Sequence, residues 1–415
     1  MAVWMNATLE DLCIIGDGNH SSKYPKQSEM VIDGVPFIRG TNLVNGHISE
    51  NDILYISEKK HQELRKGHLK TGDVLFTNRG EIGKVAIVDE AFNGANLNSQ
   101  IAWFRCHGEL LPKYLFFFLQ SDQMRRHFSQ NKSGAALQQF TIRMVRAVVV
   151  SYPPLSEQKR IVAIVDQAFE GIDRAIANTK KNLTNARELF ESYLNAIFTQ
   201  KGDGWVEKTV GEVADHSLGK MLDKRKNTGV LKPYLRNLNV RWFEFDLSDL
   251  LEMPFEESER KKCTAIKGDV LICEGGYPGR AAIWQKDEPI YFQKAIHRVR
   301  FKNAAHSKWF LYFIYLSDSN NQLKQYFTGA GIQHFTGQSL HRFKLPIPPT
   351  PVIENFVEQF DELRNETQRL EAIYQQKLAA LTELKQSILQ KAFTGELTAD
   401  IVNQTTKKAE EAIAA

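Results

Sequence analysis

The sequence of 415 residues lacks the short motifs that identify most enzymes. It has no Walker A motif, because Gly80 to Lys84 and Gly219-Lys220 each lack the other half of that pattern. It has no HExxH pair and no strand-linked GxGxxG. The Asp/Asn-Pro-Pro-aromatic motif of amino-methyltransferases is also absent, since Ser151-Tyr152-Pro153-Pro154 has its aromatic residue on the wrong side. We therefore predict no catalytic and no metal-binding residue, and no cofactor bound by this chain.

Cysteine is scarce, and long apolar runs are absent. The four cysteines form no CxxC pair and no metal-ligand spacing, which is typical of free thiols in a reducing, cytoplasmic compartment. They are Cys13, Cys106, Cys263 and Cys273. The longest apolar runs, Tyr114 to Leu119 and Trp309 to Leu316, are much shorter than the roughly 20 residues that span a bilayer. No basic and then apolar region opens the sequence, so neither a signal peptide nor a membrane is expected.

Excess charge of one sign is also small, with a formal net charge of +4. Lys and Arg outnumber Asp and Glu by 17 to 15 over residues 1–150 and by 23 to 17 over residues 201–350. They number 6 against 6 over residues 151–200, and 7 against 11 over residues 351–415. This distribution is compatible with nucleic acid binding by the two basic segments, but it does not establish it.

What the sequence does contain is one long stretch used twice, Ser156 to Gln200 and Pro351 to Gly395. A Pro-Pro step precedes each copy, and Ser156 and Thr350 are candidate N-caps. Apolar or small residues recur at alternating steps of four and three, which predicts the seam of an intramolecular coiled coil about 65 Å long. The seam positions are Ile161, Val165, Ala168, Ile172, Ala175, Thr179, Ala186, Leu189 and Tyr193, then Phe356, Phe360, Leu363, Thr367, Leu370, Tyr374, Leu381, Leu384 and Ile388.

The repetition extends to the segments before the helices. Several blocks recur in the same order: Pro36 to Arg39 as Pro233 to Arg236, Gly72 to Leu75 as Gly268 to Leu271, and Gly134 to Thr141 as Gly329 to Thr336. The chain is therefore a tandem duplication of a globular domain followed by one long helix. We predict globular domains over 1–152 and 203–347, long helices over 153–202 and 348–397, and a flexible tail over 398–415.

Each globular domain has a pattern of short strands and a few helices, which predicts a mixed α/β (α+β) fold. The predicted strands are Val74 to Thr77, Val85 to Val88, Arg143 to Tyr152, Val270 to Cys273, Ala281 to Trp284 and Arg342 to Ile347. The predicted helices are Lys113 to Ser121 and Lys308 to Ser317.

Polar and basic residues occupy equivalent loops in the two copies. Arg, Asn and Gln can read base edges, while Lys, Ser and Thr commonly bind phosphate, so these loops are candidates for DNA contact. The first-copy candidates are Arg39, Asn42, Asn78, Arg79, Lys84, Gln138, Gln139, Thr141 and Arg143. The second-copy candidates are Lys220, Arg225, Arg236, Asn239, Arg241, Tyr277, Arg280, Gln333, His334 and Thr336. For any one of them the alternative is ordinary surface polarity, and the Gln-Phe-Thr block is alternatively a structural turn.

At Pro153 to Val162, Phe393 to Leu397 and the two Gly-Asp-Val-Leu strands, the sequence resembles the specificity subunits of type I restriction-modification systems. The second helix departs from this pattern, because Pro349 to Glu354 lacks the Glu-Gln pair. The resemblance implies two target-recognition domains on an antiparallel coiled coil, each reading half of a bipartite site in double-stranded DNA. It also implies one copy per complex, with two methyltransferase and two restriction-translocase subunits.

The resemblance places S-adenosylmethionine, ATP and Mg²⁺ in those partner subunits. It makes Glu157, Gln158, Lys159 and Arg160 the expected docking residues. From the residues alone, a scaffold that binds proteins rather than DNA is the alternative, and a stand-alone nuclease is disfavoured by the missing carboxylate-lysine constellation.

Overall fold

The structure, a computed structural model, describes residues 3–130, 140–223 and 227–398. The chain divides into a first unit, residues 1–179 and 376–415, and a second unit, residues 180–375. The division passes through both long helices, so each unit contains one globular domain and a part of each helix. In the part that the structure describes, no helix is both long and apolar enough to cross a membrane.

The described residues of the first unit form twelve short strands and, before the first long helix, five short α-helices. The strands are β1 (Met5–Thr8), β2 (Cys13–Asp17), β3 (Met30–Val31), β4 (Val35–Ile38), β5 (Leu43–Val44), β6 (His47–Ile48), β7 (Leu54–Ile56), β8 (Val74–Thr77), β9 (Val85–Ile87), β10 (Asn96–Leu97), β11 (Ile101–Cys106) and β12 (Val149–Tyr152). The helices are α1 (Leu9–Leu12), α2 (Glu58–Glu63), α3 (Pro112–Leu119), α4 (Asp122–Gln130) and α5 (Ile142–Arg146).

Two four-stranded sheets form the first unit, in the orders β2-β11-β8-β9 and β10-β4-β7-β3. Strand β8 is buried along its whole length because its two faces pack against different clusters. Val74 and Phe76 join the apolar cluster that includes α3, whereas Leu75 packs with Ile38 and Leu97. A continuous apolar run thus becomes a strand that is covered on both faces.

The second unit repeats this arrangement. Its strands are β13 (Val206–Thr209), β14 (Ala214–Leu218), β15 (Val230–Leu235), β16 (Leu251–Phe255), β17 (Thr264–Ala265), β18 (Val270–Cys273), β19 (Ala281–Ile283), β20 (Ile290–Phe292), β21 (Ile296–Phe301) and β22 (Lys344–Ile347). Its sheets have the orders β14-β21-β18-β19 and β16-β15-β20-β17, and β18 takes the place of β8.

The long helices are α6 (Leu155–Thr199) and α11 (Thr350–Thr394), each 45 residues long. Between them in the chain lie α7 (Val210–Val213), α8 (Arg260–Cys263), α9 (Ala305–Ser319) and α10 (Gly337–Arg342). Within each unit α6 and α11 run antiparallel. Asp173 pairs with Lys385 in the first unit and Arg187 pairs with Glu371 in the second, both at 2.5 Å.

The predicted seam is correct for the first part of each helix and wrong near the later part. Ile161, Val165 and Ile172 are buried, but Leu189 is 61% exposed and Leu384 is 47% exposed. The inward position is one residue later, at Phe190 in α6 and at the half-buried Lys385 in α11. The pattern shifts because an ideal helix drifts relative to a strict 3.5-residue repeat.

The strand predicted over Arg143 to Tyr152 is also wrong in its first half. Residues of α5 occupy that half, and the strand β12 begins only at Val149. The Thr141 hydroxyl accepts a hydrogen bond from the Met144 amide at 3.3 Å and so caps the helix. The same correction applies to Arg342, which ends α10 before β22 begins.

Candidate nucleic-acid interface

In the first unit the loop between β8 and β9 is joined to the segment at Phe140. The Phe140 amide donates to the Asn78 carbonyl at 2.8 Å, and the Asn78 side-chain amide donates to the Phe140 carbonyl at 3.1 Å. The Asn78 amide in turn donates to the carbonyl of Gln100 at 3.0 Å. Asn78 and Phe140, which lie 62 residues apart in sequence, are therefore adjacent in the fold.

The second unit brings the equivalent blocks together by the same type of contact. The Phe335 amide donates to the Glu274 carbonyl at 2.7 Å, and the Glu274 amide donates to the Ala295 carbonyl at 2.8 Å. Phe140 and Phe335 are both fully buried. Each buried phenylalanine is thus bonded through its backbone amide to the hairpin loop of its own unit.

Arg79 is the half-buried arginine of the first hairpin loop. Its Nη1 lies 3.2 Å from His20 Nδ1, and His20 Nε2 lies 2.8 Å from the carboxylate of Asp17. The other oxygen of Asp17 is 3.3 Å from Lys66 Nζ. The sequence-based prediction included Arg79 but missed His20 and Lys66, which join it only through the fold. The one signal available was the basic run Arg65-Lys66 before a glycine.

A cavity of about 470 Å³ adjoins this cluster, and basic side chains dominate its lining. Arg65, Lys66, Arg105 and Arg146 all contribute, while Asp17 is the acidic member. Arg105 is held by a bidentate pair with the buried Asp73, with Nε and Nη2 at 2.8 and 2.7 Å from the carboxylate oxygens. Lys66 is also paired with Asp17 and Arg146 with Glu10, so the positive surplus that this pocket offers to a phosphate backbone is small.

In the second hairpin loop Arg280 stacks on Tyr277, with its guanidinium carbon 4.0 Å from the ring centroid. Its Nη2 donates to the Asn237 carbonyl at 2.9 Å. The sulfur of Cys273 lies 3.6 Å from the same carbonyl oxygen. Burial raises the pKa of Cys273 to about 11, so this thiol stays neutral. Tyr277 is 57% exposed and is therefore the outward-facing member of the pair.

The turns that begin at Arg39 and Arg236 are built alike, and their asparagines serve the fold. Asn42 is 1% exposed; it accepts from the Arg39 amide at 3.0 Å and donates to the Asn51 carbonyl at 3.1 Å. Asn239 is 2% exposed and makes the equivalent bond to Arg236 at 2.8 Å. Direct base contact is not expected of Asn42 and Asn239, contrary to the sequence-based prediction, because their amides are used inside the turns.

The two arginines of these turns are also held internally. Arg39 donates to the Asp52 carbonyl, and Arg236 Nη2 lies 2.6 Å from the Asp249 carboxylate and 2.8 Å from its carbonyl. These contacts leave the arginines half-buried at the rim of each turn. They position the turns, and any DNA contact would compete with the existing bonds.

Lys220, Thr141 and Thr336 also have structural roles. The buried ion pair of Lys220 disfavours the predicted DNA contact, whereas DNA contact by the half-exposed Thr141 and Thr336 stays a prediction. The Lys220 ammonium is 9% exposed, 2.5 Å from the Glu259 carboxylate and 2.9 Å from the Pro254 carbonyl. The Thr336 hydroxyl caps α10 by accepting from the Ser339 amide at 3.3 Å, as Thr141 caps α5. These polar groups are already bound to backbone groups and, for Lys220, to a carboxylate of the same unit.

The remaining candidates divide by exposure. Exposed or half-exposed side chains are found at Lys84, Arg143, Arg241, Gln333 and His334. Lys84 pairs with Glu81 at 2.8 Å, and the His334 backbone bonds to Thr328 in a turn. Gln138, Gln139 and Arg225 lie outside the described residues.

Among the predicted docking residues, Gln158 is fully buried. It accepts from the Leu111 amide at 2.9 Å and donates to the carbonyls of Glu109 and Pro153 at 2.6 and 2.8 Å. Gln158 therefore fixes α6 to its own domain, which contradicts the prediction that it contacts a partner. Glu157, Lys159 and Arg160 retain partial or full exposure.

Within residues 3–130, 140–223 and 227–398, no group of three or more His, Cys, Asp or Glu is placed to hold a metal ion.

Comparison with known proteins gives a consistent result. The family model described as "Type I restriction modification DNA specificity domain" matches residues 1–185 and 202–378. The specificity subunit of the type I restriction enzyme EcoKI of Escherichia coli (strain K12) is 24% identical over 395 residues, which cover 88% of this chain and 83% of that protein.

Two solved structures share the fold. A chain from a study of complex assembly and conformational transition of the type I R-M system aligns with a TM-score of 0.77 at 19% identity, over 95% of this chain and 98% of that one. The HsdS subunit from Thermoanaerobacter tengcongensis aligns with a TM-score of 0.56 at 20% identity, over 95% and 97% of the two chains. These likenesses confirm the predicted fold class of tandem mixed α/β domains with long helices.

Proposed function

The chain belongs to the type I restriction-modification DNA specificity family and is a specificity subunit, and from that premise we propose that each unit reads one half of a bipartite, asymmetric site in double-stranded DNA. The observation that carries this proposal is the repeated loop arrangement. In both units a hairpin loop is bonded to the backbone of a buried phenylalanine, Phe140 or Phe335. Two domains with the same backbone arrangement but different exposed side chains are suited to reading two different DNA sequences.

The proposed base-reading residues are those that remain exposed or half-exposed at these loops. They are Arg79 in the first unit and Tyr277, Gln333 and His334 in the second, with Arg280 holding Tyr277. Lys84, Lys66 and Arg65 would contact the phosphate backbone, because a flexible ammonium or guanidinium group binds phosphate without sequence preference. Arg143 and Arg241 are further phosphate candidates.

We propose that the helices α6 and α11 set the length of the unread gap between half-sites. At 45 residues and 1.5 Å per residue each helix is about 65 Å long, whereas one turn of B-DNA is about 34 Å. Inserting one heptad into both helices should lengthen the tolerated gap and leave both half-sites unchanged. Methylome sequencing that found altered half-sites with the original gap would contradict this role.

The proposal assigns the chemistry to partner subunits. One copy of this chain would dock two methyltransferase subunits and two restriction-translocase subunits, which would bind S-adenosylmethionine, ATP and Mg²⁺. The sequence supports this division, because it contains none of the catalytic motifs sought above. The exposed side chains of Glu157, Lys159 and Arg160 at the start of α6 are the proposed docking residues.

Methylome sequencing of cells that express this chain with a methyltransferase subunit tests the proposal. Arg79→Ala should relax one half-site and weaken its methylation about 10- to 100-fold, as expected for loss of a guanine-reading arginine. Gln333→Ala should relax only the other half-site. The control is Lys59→Ala, an exposed lysine on α2 that is not among the proposed contact residues.

The two variants must act on different halves of one site. If both variants altered the same half-site, or neither altered any while the methyltransferase subunit still bound, the assignment of one unit to each half would be wrong. Co-purification of each variant with the methyltransferase subunit separates a loss of DNA reading from a loss of assembly.

A further inference from the structure

Cys13 and Cys106 lie opposite each other on the neighbouring antiparallel strands β2 and β11 of the first unit. Their sulfur atoms are 3.4 Å apart, with the Cys13 thiol donating to Cys106. Both cysteines are free. No step of DNA recognition or subunit docking described above uses either thiol.

The strand geometry at this pair is the one that permits a cross-strand disulfide. The His107 amide donates to the Leu12 carbonyl at 3.1 Å, so the adjacent residues form the hydrogen-bonded pair of the ladder. Cys13 and Cys106 therefore occupy the non-hydrogen-bonded position, where the Cα atoms approach to about 4.5 Å and the side chains are closest. That spacing falls within the range that disulfides span, so bond formation needs little movement of the backbone.

The two thiols differ in access. Cys13 is 3% exposed, and its hydrogen bond to Cys106 together with burial raises the pKa of its thiol. Cys106 is partly exposed at the end of β11. An oxidant dissolved in water therefore reaches Cys106 first. The buried Cys13 sulfur lies beside it, in position to attack the oxidised Cys106.

We infer that Cys13 and Cys106 form a site of reversible thiol oxidation, at which a hydroperoxide links β2 to β11. In the first step the Cys106 thiolate attacks the peroxide oxygen; the O–O bond breaks, and Cys106 sulfenic acid and hydroxide form. In the second step the Cys13 sulfur attacks the sulfenic sulfur; an S–S bond forms, and the leaving hydroxyl takes the Cys13 proton as water. A dithiol reductant reverses the reaction by exchange.

The second unit lacks this pair at the same register. Ala214 and Phe301 face each other on β14 and β21, where the first unit has Cys13 and Cys106. The other cysteines, Cys263 and Cys273, are buried in separate apolar clusters. Oxidation should therefore change the first unit and leave the second unit as it was.

The link would close a loop between residues 93 positions apart, which includes most strands of the first unit. A closed loop of that length restricts the unfolded chain and so favours the folded unit. The oxidised first unit should consequently resist unfolding, whereas Asp17, the last residue of β2, and His20 just after it remain as they are.

The test treats the folded full-length chain with hydrogen peroxide, blocks remaining thiols with N-ethylmaleimide, and maps peptides by mass spectrometry. We expect one disulfide, between Cys13 and Cys106, which dithiothreitol removes. Thermolysin should then cut the oxidised first unit at least about tenfold more slowly, because cleavage follows transient opening. Cleavage of the second unit should not change.

Variants make the result specific. Cys13→Ala copies the alanine that the second unit has at this position, and it should leave Cys106 as a sulfenic acid without a disulfide. The double variant Cys263→Ala with Cys273→Ala keeps the pair and should oxidise like the parent chain.

The inference fails if Cys106 is oxidised while Cys13 stays reduced in the folded parent chain. It fails equally if the link forms only in denaturant, or if the linked first unit is cut as fast as the reduced one. None of these readouts depends on DNA binding, so the inference and the proposed function can fail separately.

Discussion

The turn between β5 and β6 differs sharply from its counterpart in the second unit. Asn45 and Gly46 hold the same register as Trp242 and Phe243, because strand pairing and the flanking turn hydrogen bonds are equivalent. The Phe243 ring centroid lies 5.3 Å from that of Tyr312 and 5.0 Å from that of Tyr315. The second unit therefore fills the space beside its long helices with its own aromatic side chains.

In the first unit the same place is a cavity of about 1050 Å³. Gly46 has no side chain to fill it, and a Cβ atom at this position would lie 2.7 Å from the ring of Phe116. Charged side chains surround the opening instead, including the pair Lys113–Asp166 at 3.1 Å.

The comparison shows which contacts the duplicated fold requires. The pair Lys113–Asp166 recurs as Lys308–Asp361, and the buried Asp73 recurs as Asp269 with an arginine partner. The aromatic filling does not recur. The shared frame therefore rests on the sheets and their ion pairs, and the space beside the helices is free to diverge.

The largest effect should come from a contact that the two units share. Asp73→Asn and Asp269→Asn each remove the charge of a buried carboxylate that a partly exposed arginine binds in bidentate fashion. Each should lower the free energy of unfolding of its own unit by about 3 to 4 kcal/mol. Hydrogen exchange of β8 and β18 amides measures the two units separately. A much smaller loss in one unit would show that the frames are not equivalent.

The second-largest effect is a dependence of the stability of the second unit on pH. His297 in the second unit is 1% exposed, and burial, with the nearby His216, lowers its pKa to about 4. The unfolded chain binds the proton near pH 6.5, so stability is full above that pH and falls as the pH drops towards 4. The second unit should lose about 3 kcal/mol over this range.

The first unit has Ala102 at the register of His297, facing Phe76 where His297 faces Ile272. His297→Ala is therefore the matched variant, and it should remove most of the pH slope of the second unit. Hydrogen exchange at pH 7 and pH 5, corrected for intrinsic rates, gives the slope for each unit. An unchanged slope in this variant would assign the titration to another group.

Phe243→Ala should have the third-largest effect. The ring is half-buried and has the Arg364 guanidinium carbon 4.3 Å from its centroid, so its removal should cost the second unit about 2 kcal/mol. The residue keeps its positive φ of 68° in either form, so backbone strain is not relieved. Exchange of β19 amides reports the loss. No loss would mean that the aromatic filling contributes nothing to stability.

Tyr312→Phe should have the smallest effect, because it gives the second unit the side chain that the first unit has at Phe117. The Tyr312 hydroxyl donates to Asp361 at 2.6 Å, and Lys308 still pairs with that carboxylate in the variant. The expected loss is about 1 kcal/mol. Phe117→Tyr is the reciprocal control, and a gain beside Asp166 would support the equivalence of the two positions.

Local patterns in the sequence predicted many of the strands and both long helices. The strands Val74–Thr77 and Val270–Cys273 have the predicted bounds, and the long helices lie inside the predicted segments 153–202 and 348–397, each beginning two residues after the segment does. Such elements are set by periodicity and by residues a few positions apart, which a single sequence displays. The α5 helix was missed because its signal, a capping Thr141, precedes an apolar run that equally fits a strand.

The candidate contact residues were less predictable. Asn42, Asn239 and Gln158 have the polarity of binding residues, yet each is buried by partners from other segments. Conversely, His20 contacts Arg79 directly, and Asp17 at the end of β2 links Lys66 to His20. Whether a polar side chain points inward or outward depends on which distant backbone groups need a hydrogen-bond partner, and sequence spacing does not contain that information.

For this protein, the sequence by itself determined the duplication, the two long helices and the paired strands, because a repeat and its hydrophobic period are written in neighbouring residues. The tertiary structure alone decided that Phe243 fills a space that Gly46 leaves open, and that Cys13 faces Cys106. Those outcomes depend on strand register and on side chains that meet from distant parts of the chain. Two units with the same strand order therefore differ in their side-chain contacts.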